Sequence, residues 1–119
     1  MQYWFSLKVR GVKTPEQFTG LEKELESWDL FRYVFEDGDY HVETGEAEFP
    51  SFEEAAWIRH EVQMRAISKH LHEMTFELAV NDGMNYWLEY YHNGAQEICS
   101  GEIVYDTPKT IKWEELIPI

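Results

Sequence analysis

His60, His70, His72, the lone Cys99 and the set Glu46, Glu48, Glu53 and Glu54 are the side chains whose types and spacing invite a search for chemistry. A zinc site needs three or four ligands converging on one point. The three histidines fall on one expected helix, where positions 70 and 72 project about 200° apart and position 60 lies turns away. His60-Glu61 is not followed by a second histidine at the offset a zincin requires. Solvated or cap-like histidines are the expectation. Glu46 and Glu48 on one strand face, followed by Glu53 and Glu54 at a helix start, could gather a divalent cation. A solvated face, with the helix-start acids serving the helix dipole, is the simpler reading. No metal and no cofactor are expected.

Nucleophilic catalysis by Cys99 would need an activating base in an electropositive setting. Cys99 instead lies within a stretch holding neither Lys nor Arg, which disfavours a thiolate, so a buried structural cysteine is expected. The serines lack the glycines of a nucleophile elbow, and no phosphate-binding glycine pattern occurs. No catalytic set converges, and a non-enzyme is expected.

Charge is the strongest signal. The chain of 119 residues carries a formal −13. The two stretches 33–58 and 70–108 contain 15 of the 23 acids and no Lys or Arg. Such a surface repels nucleic acid and anionic membrane and steers toward basic partners. The first stretch gathers Glu36, Asp37, Asp39, Glu43, Glu46, Glu48, Glu53 and Glu54. Carboxylates so spaced can imitate a row of phosphates, and these eight are the expected partner-binding residues. Acidity that only keeps the protein soluble is the rival reading.

The elements that position these groups follow from periodicity. Tyr3, Phe5, Leu7 and Val9 alternate with Trp4, Ser6, Lys8 and Arg10, the pattern of a half-buried strand. Thr14-Pro15-Glu16-Gln17 reads as a capping box, and Phe18, Leu21, Leu25 and Trp28 then mark one helix face. Asp37-Gly38 predicts a hairpin pairing Phe35 with Tyr40, Tyr33 with Val42, Phe31 with Thr44 and Arg32 with Glu43. Ser51-Phe52-Glu53-Glu54 reads as a second capping box, opening a helix to about Met74. Three further strands are expected around turns at Asp82-Gly83 and Asn93-Gly94. Those turns place Phe76, Leu78, Val80, Trp87 and Ile98 on one face, and Tyr86, Leu88, Tyr90, Cys99 and Ile103 on the other. Both faces are apolar, so either a bulge shifts the register or the sheet is covered on both sides.

The expected fold is therefore one α+β domain spanning 1–119. It is a ferredoxin-like βαββαβ unit with a C-terminal β-hairpin extending an antiparallel sheet, and the tail 107–119 docks on the body. At this length a single core can bury roughly 65% of the unfolded surface. One cysteine excludes an internal disulfide, and neither a signal peptide nor a membrane span is apparent, so a cytoplasmic location is expected.

The expected function is that of a small acidic binding protein that inhibits or masks a basic, nucleic-acid-handling partner such as a nuclease. Anti-CRISPR and anti-restriction proteins of phages, and immunity proteins against nuclease toxins, share this size and charge, an analogy of physical type only. Direct contact with nucleic acid or membrane is not expected. The competing reading is a ferredoxin-like module that forms a homodimer through its open sheet face, in a ligand-binding or regulatory role.

Overall fold

The computed structural model of the protein describes residues 3–100 together with Ile111. Strand β1 (Trp4–Arg10) buries Phe5, Leu7 and Val9, as the alternation predicts. Helix α1 (Pro15–Ser27) starts at the expected Thr14 cap, with the return bond of the box made to Lys13 N rather than to Thr14 N. Thr14 Oγ1 accepts from Gln17 N at 3.1 Å, and Gln17 Oε1 accepts from Lys13 N at 2.6 Å. Leu21 and Leu25 are buried, with Phe18 and Trp28 packed against the same core.

The hairpin expected at Asp37-Gly38 does not form. Val34 and Phe35 are consecutive residues, both 0% exposed. A strand with one face covered cannot bury two neighbours in succession, because its side chains alternate. The segment coils instead: Val34 N and Phe35 N both donate to Leu30 O, Arg32 N donates to Phe35 O, and Arg32 takes a φ of 60°. Strand β2 (Asp39–His41) pairs with β3 (Glu46–Phe49) through a turn at residues 42–45, placing Tyr40 opposite Ala47. Phe35, Tyr33, Phe31 and Arg32 therefore lack their expected partners. Gly38 is required for a different reason, since a Cβ there would run into the Phe49 ring and come within 2.9 Å of Glu48 O.

The second capping box is also overturned. Ser51 Oγ donates to Phe5 O at 2.6 Å, and Ala55 bridges to Tyr3 by backbone bonds of 3.0 and 2.8 Å. Ala55 and Trp57 are buried two residues apart, an extended rather than a helical pattern. Helix α2 spans only His60–His70, buries Met64 and Ile67, and starts at Arg59 without a side-chain cap. Ile58, inside the span expected to be helical, is 87% exposed.

Strands β4 (Thr75–Asn81), β5 (Tyr86–His92) and β6 (Ala95–Ser100) complete a mixed α+β fold. The β4–β5 loop holds four residues, with Asp82 Oδ1 accepting from Met84 N at 2.9 Å and Asn85 N at 2.6 Å. The register thus slides by two from the expected one and leaves every side chain on its expected face. Asn93 and Gly94, at φ 47° and 84°, form the expected tight turn.

One antiparallel sheet results, in the order β2-β3-β1-β4-β5-β6. Its helix-covered face joins Phe5, Leu7, Val9, Ala47, Phe49, Phe76, Leu78, Val80 and Tyr91 to Leu21 and Leu25 of α1 and Met64 and Ile67 of α2. The opposite face carries a smaller cluster of Ala79, Leu88, Tyr90 and Cys99 beneath Ile111. The sheet is thus covered on both sides there. The tail expected to dock lies outside the described residues apart from Ile111, as does Ile103. No helix among the described residues is long and apolar enough to cross a membrane.

Candidate functional site

Cross-strand register sets the polar face of the sheet. Asp39, Glu48, Lys8, Glu77, Tyr90 and Glu97 stand opposite one another in a row that crosses all six strands. A second row runs His41, Glu46, Arg10, Thr75, His92. Arg10 Nε donates to Glu46 Oε2 at 2.8 Å, and Lys8 Nζ lies 3.9 Å from Glu48 Oε1. Burial alone would raise the Glu46 pKa, yet the Arg10 hydrogen bond and charge outweigh it and hold the carboxylate below its usual range. A stretch with no base in sequence is not without bases in space, because β1 brings Lys8 and Arg10 alongside β3.

The other six expected partner residues behave differently. Glu36, Asp37, Asp39, Glu43, Glu53 and Glu54 are all exposed. Among the described residues no base lies within salt-bridge distance of any of them. They do not form one flat patch. Asp39 shares the polar face with Glu46 and Glu48, Glu43 sits in the β2–β3 turn, and Glu36 and Asp37 flank a groove of about 290 Å³ with Arg32 and Phe52. Glu53 and Glu54 follow Phe52 on the irregular segment. No group of three or more possible ligands among the described residues could hold a metal ion, so Glu46, Glu48, Glu53 and Glu54 do not converge.

A second constellation lies on the covered face. Glu89 is only 3% exposed, yet it sits between Trp87 and Tyr91 in the alternation of β5 and therefore points into the core. Its carboxylate accepts from His60 Nε2 at 3.0 Å, Trp87 Nε1 at 2.7 Å and Tyr91 OH at 2.6 Å. Gln96 Nε2 donates to Tyr91 OH at 2.7 Å. Burial works to raise the Glu89 pKa, but the bonds from His60, Tyr91 and Trp87 prevail and lower it. Burial likewise works to lower the His60 pKa, and the Glu89 bond and charge, with the Trp57 carbonyl, raise it instead. The Tyr91 hydroxyl is pushed far up by burial and by the neighbouring Glu89 charge. The result is a fully bonded carboxylate–imidazole pair, ionic when His60 is protonated, with no buried polar side-chain atom unpartnered among the described residues.

Periodicity contains a signal for this cluster. Trp87, Glu89 and Tyr91 share one face by parity, so a carboxylate on that face must find donors. His60, expected to be solvated or cap-like, is half-buried at the first residue of α2. His70 Nδ1 lies 2.9 Å from Glu24 Oε2, an exposed contact between the two helices. Cys99 is buried, as expected, and is a thiol rather than half of a disulfide. No family model matches the chain, and no curated protein or solved structure is significantly similar to it.

Proposed function

We propose that the protein is a small acidic binding protein that masks a basic surface on a partner that handles nucleic acid, in the manner of anti-restriction or nuclease-immunity proteins. The observation that carries this reading is the set of six exposed carboxylates with no base within salt-bridge distance among the described residues, on a chain of −13. Like charges at this density repel within the screening length of about 8 Å at physiological salt and contribute nothing to folding. Glu46, held by Arg10, and Glu48, near Lys8, extend the acidic face beside Asp39. The strand order β2-β3-β1-β4, with a helix in each crossover, supports a ferredoxin-like βαββαβ reading in which β5 and β6 extend the β4 edge. The Cys99 thiol is in keeping with a cytoplasmic location.

The test is capture of partners from native lysate at low and high salt, repeated with Glu36, Glu43, Glu53 and Glu54 changed to Gln and Asp37 and Asp39 to Asn. Basic nucleic-acid-handling proteins that are retained by the wild type at low salt and lost on both the salt step and the neutral variant support the reading. Partners held equally by the variant would sink it.

The rival is a module that dimerises through its open sheet face, with a ligand-binding or regulatory role. Trp4 and Tyr86, both exposed on that face, favour it, whereas Ile111 already occupies part of the surface. Sedimentation of Trp4→Ser alongside wild type decides the matter: a dimer lost in the variant supports the rival.

A further inference from the structure

His60 holds two acceptors at once. Its Nε2 reaches Glu89 Oε1 at 3.0 Å, and its Nδ1 reaches the Trp57 carbonyl at 3.3 Å. A neutral imidazole carries one N–H and an imidazolium carries two. Only the protonated ring can donate to both acceptors. We propose that protonated His60 is a two-ended clasp that fastens the turn at residues 57–59 and the start of α2 to the β5–β6 hairpin, and that loss of its proton loosens that turn.

The surroundings favour one release over the other. From β5, the Glu89 carboxylate bonds the ring, and the Tyr91 hydroxyl bonds the same carboxylate oxygen. From α2 itself, the Glu61 charge acts on it, and Arg65 spans from Glu61 at 3.2 Å to Gly94 O at 3.1 Å. β6 contributes the Gln96 amide, while β1 and the segment contribute the rings of Phe5 and Trp57, at 5.3 and 5.9 Å from the imidazole. Arg59 adjoins the ring in sequence and is exposed. Glu89 remains ionised and buried at high pH, so a neutral ring keeps its single proton on Nε2 and withdraws from the Trp57 carbonyl, which keeps only the His60 backbone N–H at 3.2 Å. The end that is freed is the junction with α2, where Ile58 and Arg59 are exposed and no side chain caps the helix, while Ser51 stays bonded to Phe5 O and Ala55 to Tyr3. This inference stands apart from the partner-masking reading, since it concerns the chain alone.

Hydrogen exchange on the full chain across neutral to alkaline pH, corrected for intrinsic rates, tests it together with NMR titration of the His60 ring. The expected result is a His60 midpoint above 6.5. Protection at residues 58–63 should fall by about tenfold or more through that midpoint, the scale of one charge-assisted hydrogen bond. Protection in β1 and β4 should stay constant. In His60→Gln, whose amide bonds but does not titrate, the step should vanish. A His60 midpoint at or below 6.5, or a titrating His60 with no local loss of protection, overturns the proposal. The wild-type curves decide even if the variant fails to fold.

Discussion

Arg10 and Glu46 face each other across β1 and β3, Nε to Oε2 at 2.8 Å, both side chains largely withdrawn from water. An acid that reads in sequence as one of eight equivalent surface charges is thereby a structural one. Glu46→Lys should set two cations side by side and destabilise by about 2 kcal/mol or more, as for other broken part-buried pairs. Glu53→Lys and Glu54→Lys, exposed and unpaired among the described residues, should stay within about 0.5 kcal/mol. Urea melts of the three variants separate these roles, and equal effects would mean the pairing at Glu46 is idle.

Two glycines should respond to alanine with opposite sign. Gly20 sits inside α1 facing open space, with nothing within 4 Å of where a Cβ would stand, so Gly20→Ala should stabilise by about 0.5–1 kcal/mol through helix propensity. Gly38→Ala would drive its methyl into the Phe49 ring and should destabilise by about 1–3 kcal/mol. Thermal melts reporting the same sign for both would contradict the packing around Phe49.

Thr14 and Ser51 head similar sequences and play unlike parts. Thr14→Ala removes a true helix cap and should cost about 1 kcal/mol, while Thr14→Asp should be tolerated. Ser51→Asp should destabilise, because the hydroxyl that donates to Phe5 O gives way to a carboxylate facing a carbonyl. Chemical denaturation showing Ser51→Asp to be neutral would restore a cap at Ser51.

Stability should follow a window in pH. The raised His60 pKa contributes stability that is fully present below 6.5 and is lost as pH rises through the folded-state value. The lowered Glu89 and Glu46 values contribute stability that is present above 4.5 and is lost as pH falls through their folded-state values. The melting temperature should therefore peak between these limits. Glu89→Leu should strip an acceptor from His60, Trp87 and Tyr91 at once, flatten the alkaline limb, and cost about 3 kcal/mol or more. Calorimetry with an unchanged alkaline limb in Glu89→Leu would separate that limb from the buried pair.

The chain should show no sub-micromolar binding to DNA or RNA at physiological salt, given its −13 and the absence of a basic stripe in the sequence. A gel shift is the direct check.

Local patterns with a single physical reading are legible in the sequence: the alternation of β1, the Thr14 cap, the Asn93-Gly94 turn, and the sorting of β4–β6 residues between faces. Two others are outcompeted by packing. Asp37-Gly38 favours a hairpin locally, but Val34 and Phe35 are both needed in the core. Ser51 to Met74 fits a helical period, yet Ala55 gains a backbone partner in Tyr3 and holds the chain extended. The Glu89 cluster cannot be found by counting charge along the chain, because its meaning depends on which face of β5 the carboxylate occupies. The acidic block is legible as composition, and its division into paired and unpaired members requires the strand order.

That strand order also constrains how the molecule comes into being. β1 lies in the interior of the sheet, and Leu7 is flanked by Phe49 and Leu78. Both neighbours follow it in the chain, so a growing polypeptide presents the apolar row Phe5, Leu7 and Val9 long before either side of that row can be closed. Closing such distant loops is slow. Until Asn81 has emerged, β1 lacks its full β4 partner, so mutations in β4, distant in sequence but paired with β1 in the sheet, should lower the yield of folded chain more than the stability of the finished fold.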